Sequence, residues 1–246
     1  MEKDEYRKHF ELEESHWWFA GRRAIIEHTL RGLPLSPSEA KILDAGCGTG
    51  MNLVTYEKLG KTFGLDFEAE ALRYCQRRGL KRLVRGDVQK FPFPDRTFDL
   101  VFLLDVISHE SIGSDVGVLQ DVHRILKRGG LVVLSDSALN FLWSRHDRAF
   151  HIRKRYVARE IVQKMDLAGF RVEKSTYFNF FLFFPIAVFR FADKLWRGED
   201  HPVSHLNKVN EGLNCLLSRI FQAEAPLLRN IRFPFGCSLL CVGKKI

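Results

Sequence analysis

The nine residues Ile42-Leu43-Asp44-Ala45-Gly46-Cys47-Gly48-Thr49-Gly50 constrain this chain more than any other stretch. They read as a short buried strand, a turn with glycine at every second position, and a helix start. Glycine tolerates positive φ and puts no side chain between backbone and ligand, so such a turn can pass very close to a bound molecule. The helix that follows offers unpaired N–H groups to something anionic. Asp44 stands at the strand end, just before the glycines. It would repel a pyrophosphate, whereas a ligand carrying an amino group beside a carboxylate would fit.

Further signals follow in order. Thr62-Phe63-Gly64-Leu65-Asp66 reads as a second strand ending in an acid, 20 residues after Gly46. That is the interval at which doubly wound folds place a carboxylate on ribose hydroxyls. Gly86-Asp87-Val88 supplies a third acid after Arg82-Leu83-Val84-Arg85. Phe98 to Asp105 reads as a fourth strand, and Leu126 to Leu134 as a helix end, glycine turn and fifth strand. A nicotinamide dehydrogenase is disfavoured, because Met51 stands where G-x-G-x-x-G wants its third glycine and Asp44 is in the way.

Together these segments resemble the class I S-adenosylmethionine-dependent methyltransferases, with D-A-G-C-G-T-G similar to their first motif. The methionine end of S-adenosylmethionine carries the amino and carboxylate pair that Asp44 calls for. The resemblance implies an α/β fold: a Rossmann-like, seven-stranded, doubly wound sheet with helices on both faces and the last strand antiparallel. It also implies cofactor contacts from Trp18, Arg22, Asp44, Gly46, Cys47, Gly48, Asp66, Phe67, Asp87, Val88 and Leu104. Of these, Asp66 takes the ribose, Asp87 the adenine amino group, and the next backbone N–H, that of Val88, a ring nitrogen. Cys47 is read as a small turn residue without a catalytic role.

At 246 residues the chain can hold one sizeable core with an elaborated end. The expected organisation is a single domain over 1–246. Its parts are a helical leader at 1–30, a cofactor-binding core at 40–174, a substrate-side insertion at 175–235 and a last strand at 236–246. Met1 to Glu14 is charged throughout and does not read as a signal peptide. Cys47, Cys75, Cys215, Cys237 and Cys241 are odd in number and form no C-x-x-C pair, which favours reduced thiols in a cytoplasmic protein and no metal site. The net charge of +8 is concentrated in one place: Arg145, Arg148, Arg153, Lys154, Arg155 and Arg159 are opposed only by Asp147.

The leader contains His16-Trp17-Trp18-Phe19-Ala20-Gly21-Arg22-Arg23. Two tryptophans at neighbouring helix positions cannot both face one core, so one is expected to pack and the other to cover a ligand or partner. An H-W-W-F-x-G-R-R leader resembles one in a subset of bacterial class I enzymes. There it implies a lid over the cofactor, with Arg22 or Arg23 near the methionine carboxylate. Helices are expected at Met51–Lys58, Glu68–Arg78, Asp115–Leu126, Ala158–Ala168 and Leu206–Leu228, with strands at Phe170–Lys174 and Cys237–Val242. The insertion holds a Phe-rich run, Phe178 to Phe191, interrupted by Asn179, Pro185 and Arg190 and too short to span a bilayer. It reads either as core or, through residues 178–196, as a membrane-surface segment or acyl-binding wall.

Methyl transfer from a sulfonium needs its partners held in line, and a base where the nucleophile carries a proton. His109 lies in Asp105-Val106-Ile107-Ser108-His109, which resembles the family's D-V-L-E-H with Ser108 in place of Glu. His146 lies in Trp143-Ser144-Arg145-His146-Asp147, beside an acid that could orient it, and Tyr156 follows the basic run. His109, His146 and Tyr156 are therefore the catalytic candidates, and the arginines could grip an anionic group. No N-P-P-Y follows the fourth strand, and no cysteine lies between Cys75 and Cys215, which argues against base-methylating nucleic-acid enzymes. The expected acceptor is a small molecule or a lipid- or glycan-linked one. The alternatives are an RNA methyltransferase using the basic 145–159 loop and a non-catalytic S-adenosylmethionine-binding protein.

Overall fold

The structure is a computed structural model that describes residues 3–31, 39–197, 203–204 and 206–246. Its helices are α1 (Lys3–Leu12), α2 (Trp17–Leu30), α3 (Met51–Tyr56), α4 (Ala69–Arg77), α5 (Asp115–Ile125), α6 (Arg145–Ala149), α7 (Ala158–Leu167), α8 (Phe183–Arg197), α9 (Glu211–Gln222) and α10 (Glu224–Leu227). Its strands are β1 (Lys41–Ala45), β2 (Lys61–Asp66), β3 (Leu83–Arg85), β4 (Phe98–Leu104), β5 (Leu126–Ser137), β6 (Phe170–Phe178) and β7 (Ser238–Lys245). They form one sheet in the order β3-β2-β1-β4-β5-β7-β6. β7 runs antiparallel between β5 and β6. The Rossmann-like sheet with its last strand antiparallel is as the sequence implies.

Chain order reverses between β1 and β4, which pair in parallel with Leu43 beside Val101 and Ala45 beside Leu103. In such sheets the crevice at the carboxyl ends of the strands flanking that reversal is where ligands bind. Alternate strand residues feed the two faces, as the period of two requires. Leu43, Ala45, Val101, Leu103, Val132 and Leu134 pack with Val118, Val122, Ile161 and Met165 from α5 and α7. Ile42, Leu100, Phe102, Leu131 and Val133 pack with Ile25 and Ile26 of α2, Phe221 of α9 and Leu228. The leader and the C-terminal helices thus close one face of the sheet together.

That closure explains the glycine of the leader. A Cβ on Gly21 would lie 2.0 Å from the ring of Phe221, which is fully buried. α2 and α9 come as close as they do only because position 21 has no side chain.

Several boundaries differ from the sequence reading. β6 runs on to Phe178, because its outer half continues to pair with β7 as far as Ser238. The helix expected over Leu206–Leu228 starts only at Glu211, where the Asn210 side chain caps it by accepting from Leu213 N, and α10 follows as a separate short helix. β5 begins at Leu126 itself and pairs with β4 through an irregularity that contains Gly129. The expected loop at Gly198–Pro202 lies outside the described residues.

Gly21→Val should drive a methyl group into the Phe221 ring. The expected cost is about 1–3 kcal/mol of stability, read as a lowered thermal midpoint, with Gly21→Ala intermediate.

Candidate active site

β1 ends in the glycine turn, and three of its residues have left-handed backbone: Gly46 (φ 79°), Gly48 (φ 53°) and Gly50 (φ 91°). Gly46 and Cys47 both donate backbone N–H bonds to Leu65 O, at 2.7 and 3.0 Å, which ties the turn to the end of β2. A Cβ on Gly46 would meet Val106 at 2.7 Å, and one on Gly50 would meet Cys75 and Leu80 at 2.8 Å. At Gly48 it would meet nothing within 4 Å, because that position faces open cavity.

The cavity over this edge has a volume of about 660 Å³. Trp18, Arg22, Gly46, Cys47, Gly48, Asp66, Phe67, Asp87, Val88 and Leu104 all line it, as do His109 and His146. Asp66 accepts from Gly48 N at 2.9 Å and from Glu68 N at 2.9 Å, which fixes its carboxylate at the cavity wall. Asp87 accepts from Gln89 N at 2.8 Å and is set in the same way.

Asp44 stands behind the turn and does not itself line the cavity. It is 1% exposed, and neither carboxylate oxygen has a well-formed hydrogen bond. Burial pushes its pKa up to about 7, against the opposing pull of Arg22 and Asn52. A buried carboxylate with no partner is costly unless it takes up a proton or meets a cation.

The leader forms the opposite wall. Tyr6, His9, Glu13, Trp17, Trp18 and Arg22 all face the cavity. Glu13, buried, accepts from the Thr49 hydroxyl and from Arg78 at 3.0 Å, so the leader is fastened to the glycine turn. Of the two arginines, Arg22 is the one that reaches the site: it is buried and ion-paired with Asp105. Arg23 instead donates to the carbonyls of Glu13 and Glu14. Both tryptophans pack as well as line the cavity: Trp17 and Trp18 lie 6.0 and 5.5 Å from the Phe221 ring. The expected division of labour between them does not hold, because α9 covers both rings.

The acceptor side is built from two loops laced together. Arg153 N donates to Ser108 O at 2.7 Å, and His109 bridges Ile152. Burial lowers the His109 pKa. Its Nδ1 accepts from Ser111 N at 3.2 Å and lies 2.8 Å from Ser111 Oγ, so that ring nitrogen is engaged within its own loop. His146 packs against Phe150 with ring centroids 4.6 Å apart and the planes tilted by 53°.

Tyr156 is not part of the site. It is fully buried, with its hydroxyl 3.0 Å from Ile107 O and 2.9 Å from Asp115 Oδ2. Burial raises its pKa further above the usual tyrosine value. Asp147, read as a partner for His146, turns inward instead and pairs with buried Arg155 at 2.8 Å. The basic run is likewise neutralised from within: Arg153 pairs with Asp115, Lys154 with Glu160 and Arg145 with Asp193. Arg155, one of the basic-run arginines expected to grip an anionic group, lines the cavity, as do Asn179 and Arg190, which the sequence reading did not propose as site residues. The signal available for Asn179 and Arg190 was that each interrupts an otherwise apolar run.

Among known proteins, residues 43–134 match the family described as Methyltransferase domain. The fatty-acid O-methyltransferase of Mycolicibacterium smegmatis is 36% identical over 107 residues, covering 39% of this chain and 37% of its own length. The sterol 24-C-methyltransferase ERG6B of Gibberella zeae is 31% identical over 138 residues, covering 51% of this chain and 35% of its own. The chain thus spans about a third of the length of these relatives. A solved methyltransferase bound to the Trm112 activator from Haloferax volcanii superposes with a TM-score of 0.64 at 18% identity, over 98% of this chain and 95% of that one. That likeness is one of fold.

The cofactor of such methyltransferase domains is S-adenosylmethionine, and the residues present fit it. Gly48 leaves the space a side chain would fill, Asp66 and Asp87 stand as acceptors along the wall, and the buried Asp44 carboxylate lies behind the turn beside Asn52, which lines the cavity and would stand between it and the ammonium.

The Asp44 shift has a measurable consequence. Its raised pKa means that the free protein holds a proton there below about pH 7, and an ammonium placed nearby expels it. Calorimetry of S-adenosylhomocysteine binding in buffers of different ionisation enthalpy should show close to one proton released near pH 6 and almost none near pH 8.5. Buffer-independent heats at both pH values would contradict the placement of the ammonium.

Proposed function

We propose that this protein transfers a methyl group from S-adenosylmethionine to a small-molecule acceptor that is lipid- or glycan-linked. The observation that carries this reading is the single cavity itself. It combines a glycine-turn cofactor wall with a second wall of histidines, arginines and apolar side chains. When bound, the cofactor supplies a sulfonium methyl carbon whose bond to sulfur breaks as the bond to the acceptor forms. The chain's own work is positioning. Asp44, Asp66, Asp87 and the backbone at Val88 hold the cofactor; Arg22 pairs Asp105 at the junction; His109 and His146 face the acceptor.

The Phe-rich insertion supports an acceptor that comes from a lipid surface. A helix turns 100° per residue, which places Phe184, Val188, Phe191 and Leu195 on one arc. These side chains are 66%, 67%, 52% and 82% exposed, and Trp196 is 82% exposed. Two charged residues of α8 turn inward instead: Arg190 donates to Leu142 O at 2.7 Å, and Asp193 pairs with Arg145. This arrangement suits a helix that lies on the headgroup region of a membrane with its apolar arc outward. The inner face of α8 lends Ile186 and Arg190 to the cavity, and Phe189 both lines the cavity and is 56% exposed. No helix among the described residues is long and apolar enough to cross a membrane.

Two experiments test this reading. With methyl-labelled S-adenosylmethionine and either bacterial lipid extract or lipid-linked glycan, label should enter the organic phase, and Asp66→Ala should abolish it. Flotation with vesicles containing anionic phospholipid should carry wild type upward, and Leu195→Glu with Trp196→Glu should leave the protein at the bottom. Wild type that stays at the bottom would contradict the membrane-surface reading.

A further inference from the structure

Asn179 is unexplained by anything above. It follows β6 directly, with a left-handed backbone (φ 56°). It lines the cavity yet is 0% exposed, and neither its Oδ1 nor its Nδ2 has a hydrogen-bond partner. The backbone around it is well held: Cys237 N donates to Asn179 O at 3.4 Å, and Phe181 N donates to Glu224 at 2.8 Å. Leaving a buried primary amide unpaired at both ends is costly, and a native structure keeps few such groups without a reason.

The left-handed backbone accounts for a residue that is neither bulky nor β-branched. It does not account for the amide, since glycine would satisfy the same φ without burying two polar atoms. At 0% exposed, the amide is closed off from bulk solvent although the residue lines the cavity. An acceptor head group must part the wall slightly to reach it. The neighbouring lining is suited to a polar head with an apolar tail. Ser238 and Cys237 adjoin Asn179 on β7 and the loop before it, while Trp18 stacks on Phe178 at 6.4 Å. Ile186 and Phe189 lead from there to the exposed arc of α8.

We propose that Asn179 is the residue that recognises the acceptor's head group. Its Nδ2 donates to an oxygen of that group while its Oδ1 accepts from an adjacent N–H or hydroxyl. The chemistry that completes both ends is an uncharged donor–acceptor pair, such as a carboxamide or two neighbouring hydroxyls. A carboxylate satisfies only Nδ2 and sets its second oxygen against Oδ1. This inference rests on the reading of the cavity as the joint home of cofactor and acceptor.

The test uses octanamide and octanoate, which share a tail and differ in head group, titrated into protein saturated with S-adenosylhomocysteine and followed by tryptophan fluorescence. Wild type should bind octanamide at least about tenfold more tightly than octanoate, a difference of about 1.4 kcal/mol. Asn179→Gly keeps the left-handed backbone and should lose that preference, with unchanged affinity for S-adenosylhomocysteine and a thermal midpoint no lower than that of wild type. Asn179→Asp, of the same size, should lose it too. The proposal is overturned if wild type binds both probes equally, binds neither, or if the preference survives in Asn179→Gly. Failure of wild type to bind S-adenosylhomocysteine takes down the cofactor-site reading and this proposal together. Normal cofactor binding without an amide preference takes down this proposal alone.

Discussion

A guanidinium removed from water has to be matched, and the placing of Arg22 follows from that requirement. Arg22 is 8% exposed, comes from the leader helix, and finds its counter-charge in Asp105 at the carboxyl end of β4. Asp105 itself has left-handed backbone, with φ at 58°. The guanidinium is the buried partner and Asp105 opens onto the cavity, so the pair chiefly penalises arrangements that leave the arginine unmatched. It therefore acts as an alignment device, holding the leader across the crevice where the sheet changes direction. The glycine turn, the Glu13 contacts to Thr49 and Arg78, and the two tryptophans all take their places around that crossing.

Two buried acids set the electrostatics beneath the sheet edge. Asp44 and Asp136 are both buried, and both have pKa values pushed up to about 7. For Asp136 the causes are burial and then the nearby charge of Asp105, although it accepts from Ser108 N at 3.1 Å and Ser137 N at 2.8 Å. Asp44 accepts no well-formed hydrogen bond of that kind and is countered only by Arg22 and Asn52. Because both acids have raised values in the folded state, their contribution to stability is full below about pH 4 and fades as pH rises through about 7. On the proposed reading, a cationic ligand near Asp44 would restore what is lost there.

Much of the cofactor half was legible in the sequence because its signals are local. A turn that needs positive φ shows as glycine, and an acid after an apolar run marks a strand end at the sheet edge. The features that stayed hidden depend on direction or on distance along the chain. Asp147 is adjacent to His146, yet its side chain turns to Arg155, because adjacency says nothing about which way a side chain points. Tyr156 follows a basic run but is held by Asp115, 41 residues away, in the core. The role of Gly21 becomes visible only when Phe221 is seen against it. The apolar arc of α8 could be drawn on a helical wheel, but charges usually face water, so the inward turn of Arg190 and Asp193 was not readable.

The central claim is that the wall built by the glycine turn, Asp66 and Asp87 is a cofactor site for S-adenosylmethionine. Calorimetric titration of wild type and Asp66→Ala with S-adenosylmethionine and S-adenosylhomocysteine tests it most directly. The account predicts micromolar binding of both ligands by wild type, weakened about tenfold or more in the variant, on the order of 1.4 kcal/mol. No binding of either ligand to folded wild-type protein would contradict it.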